Sequence, residues 1–505
     1  MHDAYRRLLA HVNTVHDLGK AAAVLRWDRE THMPKAGDPA RIEQLTTLRR
    51  LIHERSTSDA YGDLIEAGAA AVADTDDGAD GLAADLVRVL RYDFDRARRL
   101  PEDFVVRMAE TSARARTVWE SARAEADFAR FRPWLERLVD LQREMAERYG
   151  HAGEPYDALL EGYEQGATTA AVRAVFDAVK RETVPLVQAI AERPGAVDDA
   201  VLRQPFPVDG QQAFARHIAS QVGYDFERGH LGTVVHPFAT SFGRDDVRIT
   251  TRWYPDDLRP ALFGTLHEAG HGIYEQNTHP ALARTPLAGG ASSGIHESQS
   301  RMVENLVGRS RPFWRAHFPA LQRHFPAQLG ACDAERFYRA VNKVQPSLIR
   351  VEADELTYNL HIVLRFELEQ AMLGGDLAVG DLPAAWNDGL RNLLGVVPPS
   401  DREGVLQDVH WSGPSFGYFP TYALGNLYAA QLMEAARAQS PAVDADLEAG
   451  QTGGLLAWLH DQVHRHGRRL PPAELVQRAT GAPLGHTAFV RYARAKFADL
   501  YGLHA

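Results

Sequence analysis

Apolar residues in this 505-residue chain recur with the period of an α-helix over most of its length. They fall at positions i, i+3, i+4 and i+7 for about 12 to 25 residues, and then Pro, Gly or Asp interrupts the pattern. The segment 101–150 predicts two such helices, and the segment 444–467 crosses one interruption. We therefore predict a mainly α-helical fold.

One region departs from this helical pattern. Residues 234–242 and 247–254 alternate β-branched and aromatic residues with polar ones around the turn-forming segment 243–246, which predicts a β-hairpin. The segment 66–86 is instead rich in Ala, Asp and Gly, and we predict that its centre is an exposed connection rather than a domain boundary. Residues 1–505 are accordingly expected to form a single domain.

Charge and cysteine content argue against several partners and compartments. The net charge of -11 and the lack of any Lys/Arg block disfavour nucleic acid or an anionic membrane as a partner. No apolar run of 18 residues occurs, so we expect no transmembrane helix. Cys332 is the only cysteine, which fits a reducing compartment. Residues 1–20 lack the apolar core of a signal peptide, and we expect a cytoplasmic protein.

Two histidines four residues apart, His267 and His271, form the pattern H-E-x-x-H with Glu268. Residues at this spacing lie on one face of a helix, so both imidazoles can bind one metal ion while Glu268 points beside it. A catalytic zinc lowers the pKa of a bound water towards about 7, and Glu268 can accept its proton during hydrolysis of an amide. The alternative is an amphipathic helix whose histidines make ordinary hydrogen bonds.

A catalytic zinc site needs a third protein ligand and one open position. After the Pro-, Gly- and Ser-rich segment 276–294, the sequence IHESQSRMVENLVGR resumes helical periodicity. A helix there can pack beside the first and bring a carboxylate to the metal. We choose Glu297 as the third ligand, while His296 and Glu304 are competitors that spacing does not exclude.

Further motifs lie outside these two helices, and each alone has a plain structural explanation. They are WDRETHMP (27–34), HPF (236–238), DVRIT (246–250), IRVEAD (349–354) and GVLQDVHWSGPSFGYFPTYALGN (404–426). In this order, and together with HEAGH and HESQ, they closely resemble the carboxypeptidase Taq family of thermostable-type metallocarboxypeptidases. The third zinc ligand of that family is a glutamate, and the resemblance runs from residue 27 to residue 426.

The resemblance implies a large helical fold like that of neurolysin-type peptidases, built around a deep groove with the metal at its floor. A small β-hairpin or sheet would line the site, and residues 1–505 would form one metallocarboxypeptidase catalytic domain. The resemblance also implies a homodimer that acts on peptides with a free C-terminus. Such an enzyme removes single C-terminal residues with broad specificity and poor release of proline, using Zn²⁺ or Co²⁺.

Carried over by position, the family pattern agrees with the ligands and the general base chosen above, namely His267, His271, Glu297 and Glu268. His410 in QDVHW and Tyr422 in GYFPTY fall where relatives place donors that face the developing oxyanion, and Tyr418 is a weaker candidate. A donor aimed at that oxygen stabilises the tetrahedral intermediate more than it stabilises the substrate.

An exopeptidase must also recognise a free carboxylate. Arginine suits this task because its planar fork donates two parallel hydrogen bonds. Arg350 in IRVEAD is our first choice for this role and Arg248 in DVRIT our second. The predicted hairpin offers an edge strand to which an extended peptide can add, with His236 near the bound end.

Two other functions are compatible with part of this pattern. A zinc endo-oligopeptidase would use the same metal chemistry and would differ in the shape of its cleft and in the carboxylate-binding arginine. A catalytically silent peptide-binding protein would be expected to lack a ligand or the general base, and the sequence keeps all four residues.

Overall fold

The computed structural model describes residues 3–73 and 81–503 of the chain. Helices before the sheet are α1 (Asp3–Thr31), α2 (Asp38–Thr57), α3 (Asp59–Ala73), α4 (Leu82–Arg98), α5 (Glu102–Glu125), α6 (Phe128–Tyr149), α7 (Pro155–Leu160), α8 (Thr169–Ala191) and α9 (Val208–Gln221). Helices after the sheet are α10 (Leu258–Gln276), α11 (Ser293–Arg301), α12 (Arg311–His324), α13 (Pro326–Leu329), α14 (Ala334–Val341), α15 (Tyr358–Gly374), α16 (Leu382–Leu394), α17 (Pro420–Gln439), α18 (Pro441–Glu448), α19 (Gly453–Gln462), α20 (Pro472–Thr480) and α21 (Thr487–Tyr501). The prediction of a mainly α-helical fold is confirmed.

Local signals place the ends of the predicted helices. The segment 101–150 forms α5 and α6, and the side chain of Asp127 caps the start of α6 by accepting a hydrogen bond from the backbone N–H of Arg130. The interruption in 444–467 lies between α18 and α19. Both helical predictions are therefore confirmed.

A three-stranded sheet interrupts the helices between α9 and α10. Its strands are β1 (Gly229–Thr233), β2 (Ala239–Gly243) and β3 (Asp246–Thr251), in the order β1-β3-β2. β2 and β3 are antiparallel, which confirms the predicted hairpin, but each strand is shorter than the sequence indicated. Pro237 lacks a backbone N–H for a sheet ladder and precedes β2.

β1 was not predicted from the sequence. It pairs in parallel with β3, with Leu231 opposite Ile249. Its sequence, GHLGT, contains two glycines and lacks the alternation of β-branched residues that marks a strand. Only its pairing with β3 makes it part of the sheet.

The buried apolar side chains form two clusters. The larger cluster runs through the helices from α5 to the C-terminal α21 and includes the inner faces of α10 and α11. The smaller cluster joins α1, α3 and α4 to Leu282 and Leu287, in the segment that follows α10. The prediction that residues 1–505 form a single domain stays a prediction.

The connection predicted within 66–86 has its centre at residues 74–80, outside the described residues. Its flanks continue α3 as far as Ala73 and begin α4 at Leu82. Among the residues that the structure describes, no helix is both long and apolar enough to cross a bilayer.

Candidate metal centre

Helix α10 carries both histidines of the H-E-x-x-H pattern. It begins after Asp257, whose side chain accepts a hydrogen bond from the backbone N–H of Arg259. His267 and His271 then lie one turn apart on the same face, with ring centroids 4.9 Å apart. Their side chains are 19% and 17% exposed, so each ring is largely buried but still open on one side.

Helix α11 brings Glu297 to these histidines. The two helices cross at Gly270, where a Cβ atom would lie 2.5 Å from the carbonyl oxygen of Gln299 and 2.6 Å from the Cα of Ser300. Any larger residue at position 270 would push the helices apart. The glycine between the two histidines thus sets how closely α11 approaches them.

A second glycine provides space on the other side of Glu297. Helix α17 passes over α11 at Gly425, where a Cβ atom would lie 2.5 Å from the Cγ of Glu297. The side chain of Glu297 is therefore confined between α10 and α17, and it is 7% exposed.

Three ligand-type atoms converge between α10 and α11. The Nε2 atoms of His267 and His271 lie 3.6 Å and 3.4 Å from Oε2 of Glu297, and the three atoms lie within 4.8 Å of one another. Two ligand atoms that are each bonded at about 2.0–2.1 Å to a tetrahedral ion are about 3.4 Å apart. The donor set and its spacing therefore fit a single zinc-sized ion.

The two competing candidates for the third ligand lie behind the histidines. Oε2 of Glu304 is 2.9 Å from Nδ1 of His267, and Nδ1 of His296 is 2.6 Å from Nδ1 of His271. Each contacts the ring nitrogen that points away from Glu297. Spacing could not separate Glu304 from Glu297 because residues seven apart lie nearly two helical turns apart on the same face.

Arg301 leaves one oxygen of Glu297 facing the histidines. Its Nε donates to Oε1 of Glu297 at 2.7 Å, and its Nη1 donates to Oε2 of Glu304 at 3.2 Å. Burial alone would raise the pKa of Glu297, but the charge of Arg301 holds that pKa well below its usual value. Glu297 is thus an anion with its Oε2 directed at the two imidazoles.

Glu268 is a buried carboxyl group beside this cluster. It is 6% exposed, and its Oε2 has no hydrogen-bond partner among the described residues. Burial raises the pKa of Glu268 to about 7. A carboxyl group in this state can take up and release a proton near neutral pH.

Tyr422 lines a cavity of about 550 Å³ together with His271, Glu297 and Tyr418. His410 lines an adjoining cavity that shares both tyrosines, and its Nε2 is 3.3 Å from the Tyr422 hydroxyl. The rings of His410 and Tyr418 are stacked. The structure therefore brings these three residues together and places both tyrosines beside the ligand cluster.

A buried glutamate anchors the loop that precedes Tyr422. Glu369 of α15 accepts hydrogen bonds from the Tyr156 hydroxyl at 2.7 Å, from Nε1 of Trp411 at 2.8 Å and from the backbone N–H of Gly417 at 3.0 Å. Burial raises the pKa of Glu369 to about 7. These contacts fix the loop between His410 and Tyr422.

Arg350 lies in a buried ion cluster rather than in open solvent. Its Nε and Nη2 donate to Oδ1 of Asp408 at 3.0 Å and 2.7 Å, and its Nη1 donates to the Tyr358 hydroxyl at 3.1 Å. Arg365 donates to the other oxygen of Asp408. Two guanidinium groups thus share one carboxylate, which leaves a surplus positive charge next to Tyr422.

Arg248 and His236 lie on the sheet side of the molecule. Arg248 of β3 pairs with Asp246 through both oxygens of the carboxylate, and its guanidinium lies over the rings of Trp27 and Phe242. His236 is exposed on the loop between β1 and β2. The fork of Arg248 is therefore already engaged by a carboxylate of the chain itself.

Comparison with known proteins gives the family. A family model described as carboxypeptidase Taq (M32) metallopeptidase matches residues 7–497. The chain belongs to this family. It is 42% identical over 508 residues to thermostable carboxypeptidase 1 of Thermus thermophilus, and the match covers 99% of each chain. It is 39% identical over 485 residues to carboxypeptidase 1 of Bacillus subtilis, with 95% of each chain covered.

A solved structure agrees with the M32 assignment. The crystal structure of the M32 carboxypeptidase from Deinococcus radiodurans R1 matches this chain with a TM-score of 0.95 and 42% identity, covering 99% of this chain and 100% of that one. The resemblance inferred from the motifs is confirmed. This M32 chain is a metallocarboxypeptidase, a peptide hydrolase that depends on a metal.

The motifs did not reveal every residue that shapes the site of this M32 enzyme. Glu275 contacts His296, and Glu369 holds the loop between His410 and Tyr422. Glu304, which the sequence offered as a competing ligand, instead contacts Nδ1 of His267. Glu369 gave one signal, because it occupies an apolar position of α15 between buried residues. The contacts of the other two depend on how the helices pack.

Proposed function

We propose that this M32 carboxypeptidase uses zinc held by His267, His271 and Glu297, with Glu268 as its general base. The convergence of the two Nε2 atoms and Oε2 of Glu297 supports this ligand set. Two imidazoles and one carboxylate form a donor set that catalytic zinc sites use, and Co²⁺ can replace Zn²⁺ in it. When bound, the ion supplies a Lewis acid for the scissile carbonyl and the attacking water.

Glu268 moves the proton in the proposed reaction. It accepts a proton from the water as the oxygen bonds to the carbonyl carbon, and it delivers that proton to the amine nitrogen as the carbon–nitrogen bond breaks. The buried Oε2 without a partner and the pKa near 7 support this role. The products are a shortened peptide and a free amino acid.

His410 and Tyr422 act as donors to the oxygen that becomes negative during the attack. Tyr422 lines the cavity that contains His271 and Glu297, and its hydroxyl lies 3.3 Å from His410, which supports a shared role. Tyr418 supports the ring of His410 and is the weaker donor candidate. Donors fixed in advance in a buried site cost little reorganisation as the charge develops.

Arg350 recognises the free C-terminal carboxylate in this proposal. Asp408 and Tyr358 engage three of its five N–H groups, and the other two have no hydrogen-bond partner among the described residues. The surplus positive charge of the Arg350, Arg365 and Asp408 cluster favours an anion. Arg248 and His236, on the sheet side, are the second choices for contacts with the bound peptide.

The remaining expectations rest on the family resemblance. We propose broad specificity with poor release of C-terminal proline, a cytoplasmic location and a homodimer. A homodimer of the 56.0 kDa chain has a mass of 2 × 56.0 = 112.0 kDa, which light scattering after gel filtration measures directly.

One pair of peptides tests the proposed function against a zinc endo-oligopeptidase. An unblocked peptide and the same peptide with an amidated C-terminus are incubated with the metal-loaded protein, and the products are identified by mass spectrometry. Stepwise loss of single residues from the free acid alone is expected. Internal cuts in both peptides would overturn the proposal and favour the endopeptidase.

A further inference from the structure

His271 contacts a second histidine, which in turn contacts a carboxylate. Nδ1 of His271 lies 2.6 Å from Nδ1 of His296, and Nε2 of His296 lies 2.9 Å from Oε1 of Glu275. Glu275 follows His271 by four residues on α10, and His296 precedes Glu297 on α11. The contact series therefore connects the two helices that carry the ligand atoms.

The chemistry of these groups fixes where the hydrogens lie. An ionised carboxylate only accepts, so Nε2 of His296 carries its hydrogen towards Glu275. A neutral imidazole has one N–H, which leaves Nδ1 of His296 as an acceptor. Nδ1 of His271 must then carry the hydrogen between the two rings, and Nε2 of His271 is left as a bare acceptor that faces Glu297.

The same outcome arises at His267 by a shorter route. Oε2 of Glu304 accepts from Nδ1 of His267 at 2.9 Å, which leaves its Nε2 bare as well. Two bare ring nitrogens and Oε2 of Glu297 then face one another without any hydrogen between them. Three acceptors at this separation repel one another, and a cation placed between them removes the repulsion.

We propose that His296 and Glu275 are positioning residues for the metal centre, because together they hold His271 in the tautomer whose Nε2 binds the ion. The inference rests on the ligand set in the proposed function and adds two residues that are not metal ligands in it. Partners that orient a ligating histidine typically account for about 10- to 100-fold in metal affinity.

A lysine from another element acts on Glu275. The positive charge of Lys20 from α1 lowers the pKa of this carboxylate, which burial alone would raise. Nζ of Lys20 also donates to the backbone carbonyl oxygen of Ser241 at 2.7 Å. The first helix and the sheet thus support the carboxylate at the end of the series.

Three variants test the proposal through Zn²⁺ affinity, measured by competition with a chelating dye and without any peptide. His296→Phe keeps the ring volume but removes both nitrogens, and His296→Gln keeps one acceptor and one donor separated by a single carbon. Glu275→Gln gives position 275 an N–H that can donate to Nε2 of His296. The hydrogen of His296 then moves to its Nδ1, and that of His271 moves to its Nε2. We expect His296→Phe and Glu275→Gln to bind Zn²⁺ about 10- to 100-fold more weakly, and His296→Gln to stay within about threefold of the parent protein.

Two further readouts separate positioning from general stability. The unfolding temperature of the metal-free variants should stay close to that of the metal-free parent, and Co²⁺ bound to His296→Phe should give an altered visible absorption spectrum. Unchanged Zn²⁺ affinity in His296→Phe would overturn the inference, as would equal losses in His296→Phe and His296→Gln. Because no substrate is present, failure of the proposed peptidase function would appear separately, as a parent protein that binds Zn²⁺ but releases no amino acid.

Discussion

The Tyr422 hydroxyl is a single group whose removal tests the proposed stabilisation of the oxyanion. Tyr422→Phe keeps the ring against its neighbours but removes the oxygen that lies 3.3 Å from Nε2 of His410. We expect kcat to fall by about 10²- to 10³-fold with a small change in KM, as for the loss of one oxyanion donor. Steady-state kinetics on a free-acid peptide measure both parameters.

Tyr418→Phe is the matched control for this experiment. Tyr418 lines the same cavity, and its ring centroid lies 5.1 Å from that of Tyr422. As the weaker donor candidate, it should lose much less activity than Tyr422→Phe. Equal kcat values for the two variants would remove Tyr422 from the assigned role.

Arg350 is the residue on which the preference for a free C-terminus depends in our account. Arg350→Ala should lower kcat/KM for free-acid peptides by about 10- to 100-fold, because a hydrogen-bonded charge pair with the substrate is lost. Asp408 keeps its contact with Arg365, so one ion pair of the buried cluster survives the substitution. The measurement is kcat/KM, with the unfolding temperature as a check on the fold.

Arg248→Ala gives the comparison for the second-choice arginine. Its guanidinium is already paired with Asp246, so we expect a smaller effect on kcat/KM. A large loss in Arg248→Ala together with unchanged kcat/KM in Arg350→Ala would transfer carboxylate recognition to the sheet.

At the level of secondary-structure elements, the close crossing of α10 and α11 determines whether Glu297 reaches the histidines. Gly270→Ala adds a Cβ atom 2.5 Å from the carbonyl oxygen of Gln299 and so forces the helices apart. Overpacking of this kind costs about 1–3 kcal/mol. We expect lower thermal stability and weaker Zn²⁺ binding, measured by calorimetry and dye competition.

Gly264→Ala on the same helix is the control for the added methyl group. Its nearest contact would be Oγ1 of Thr251 at 3.4 Å, an ordinary van der Waals distance. Alanine also favours a helix over glycine by about 1 kcal/mol, so this variant should keep its metal affinity and lose no stability. Comparable losses of Zn²⁺ affinity in both variants would contradict the role assigned to the crossing.

Some of these helices and strands could be predicted from the sequence, and others could not. Helical periodicity and the H-E-x-x-H pattern identify α10 because both signals are local. Glu297 lies on α11 and Glu304 in the π-helical turn that continues it. Only the packing of this segment against α10 assigns one to the ligand cluster and the other to Nδ1 of His267. β1 is defined by its pairing with β3, and its own residues carry no strand signal.

At the scale of the whole molecule, the buried Asp408 joins segments that are far apart in sequence. It pairs with Arg350 and Arg365, and both arginine side chains are almost fully buried. Asp408→Asn would leave two buried guanidinium groups without a charged partner. We expect a loss of about 3–5 kcal/mol in the free energy of unfolding, measured by denaturant titration.

The pH dependence of that loss follows from the ionisation of Asp408. Burial alone would raise its pKa, but the charges of Arg350 and Arg365 hold the pKa well below the usual value. A lowered folded-state pKa gives stability that is present above the unfolded pKa of about 4 and is lost as the pH falls below it. The difference in unfolding free energy between the parent and Asp408→Asn should therefore be constant between about pH 5 and pH 8 and shrink below about pH 4. A difference that grows on acidification would contradict this account.

Long-range contacts explain why much of the site could not be read from sequence. Glu164 accepts from the Tyr428 hydroxyl and from the backbone N–H of Gly294 at the start of α11, across more than a hundred residues in each case. Lys20 likewise contacts Ser241, which lies 221 residues later in the sequence. No local sequence pattern marks such pairs. The motifs that carry the proposed ligands and the general base, in contrast, are short and can be recognised in the sequence.

The metal content and the turnover of Glu268→Gln, measured on one sample, test the central claim most directly. Glutamine keeps the shape of the side chain but cannot accept the proton, so the variant should bind one Zn²⁺ per chain as the parent does. Its release of C-terminal amino acids should fall by about 10²- to 10⁴-fold. Near-parental turnover with a full complement of zinc would contradict the assignment of Glu268 as the general base beside the metal.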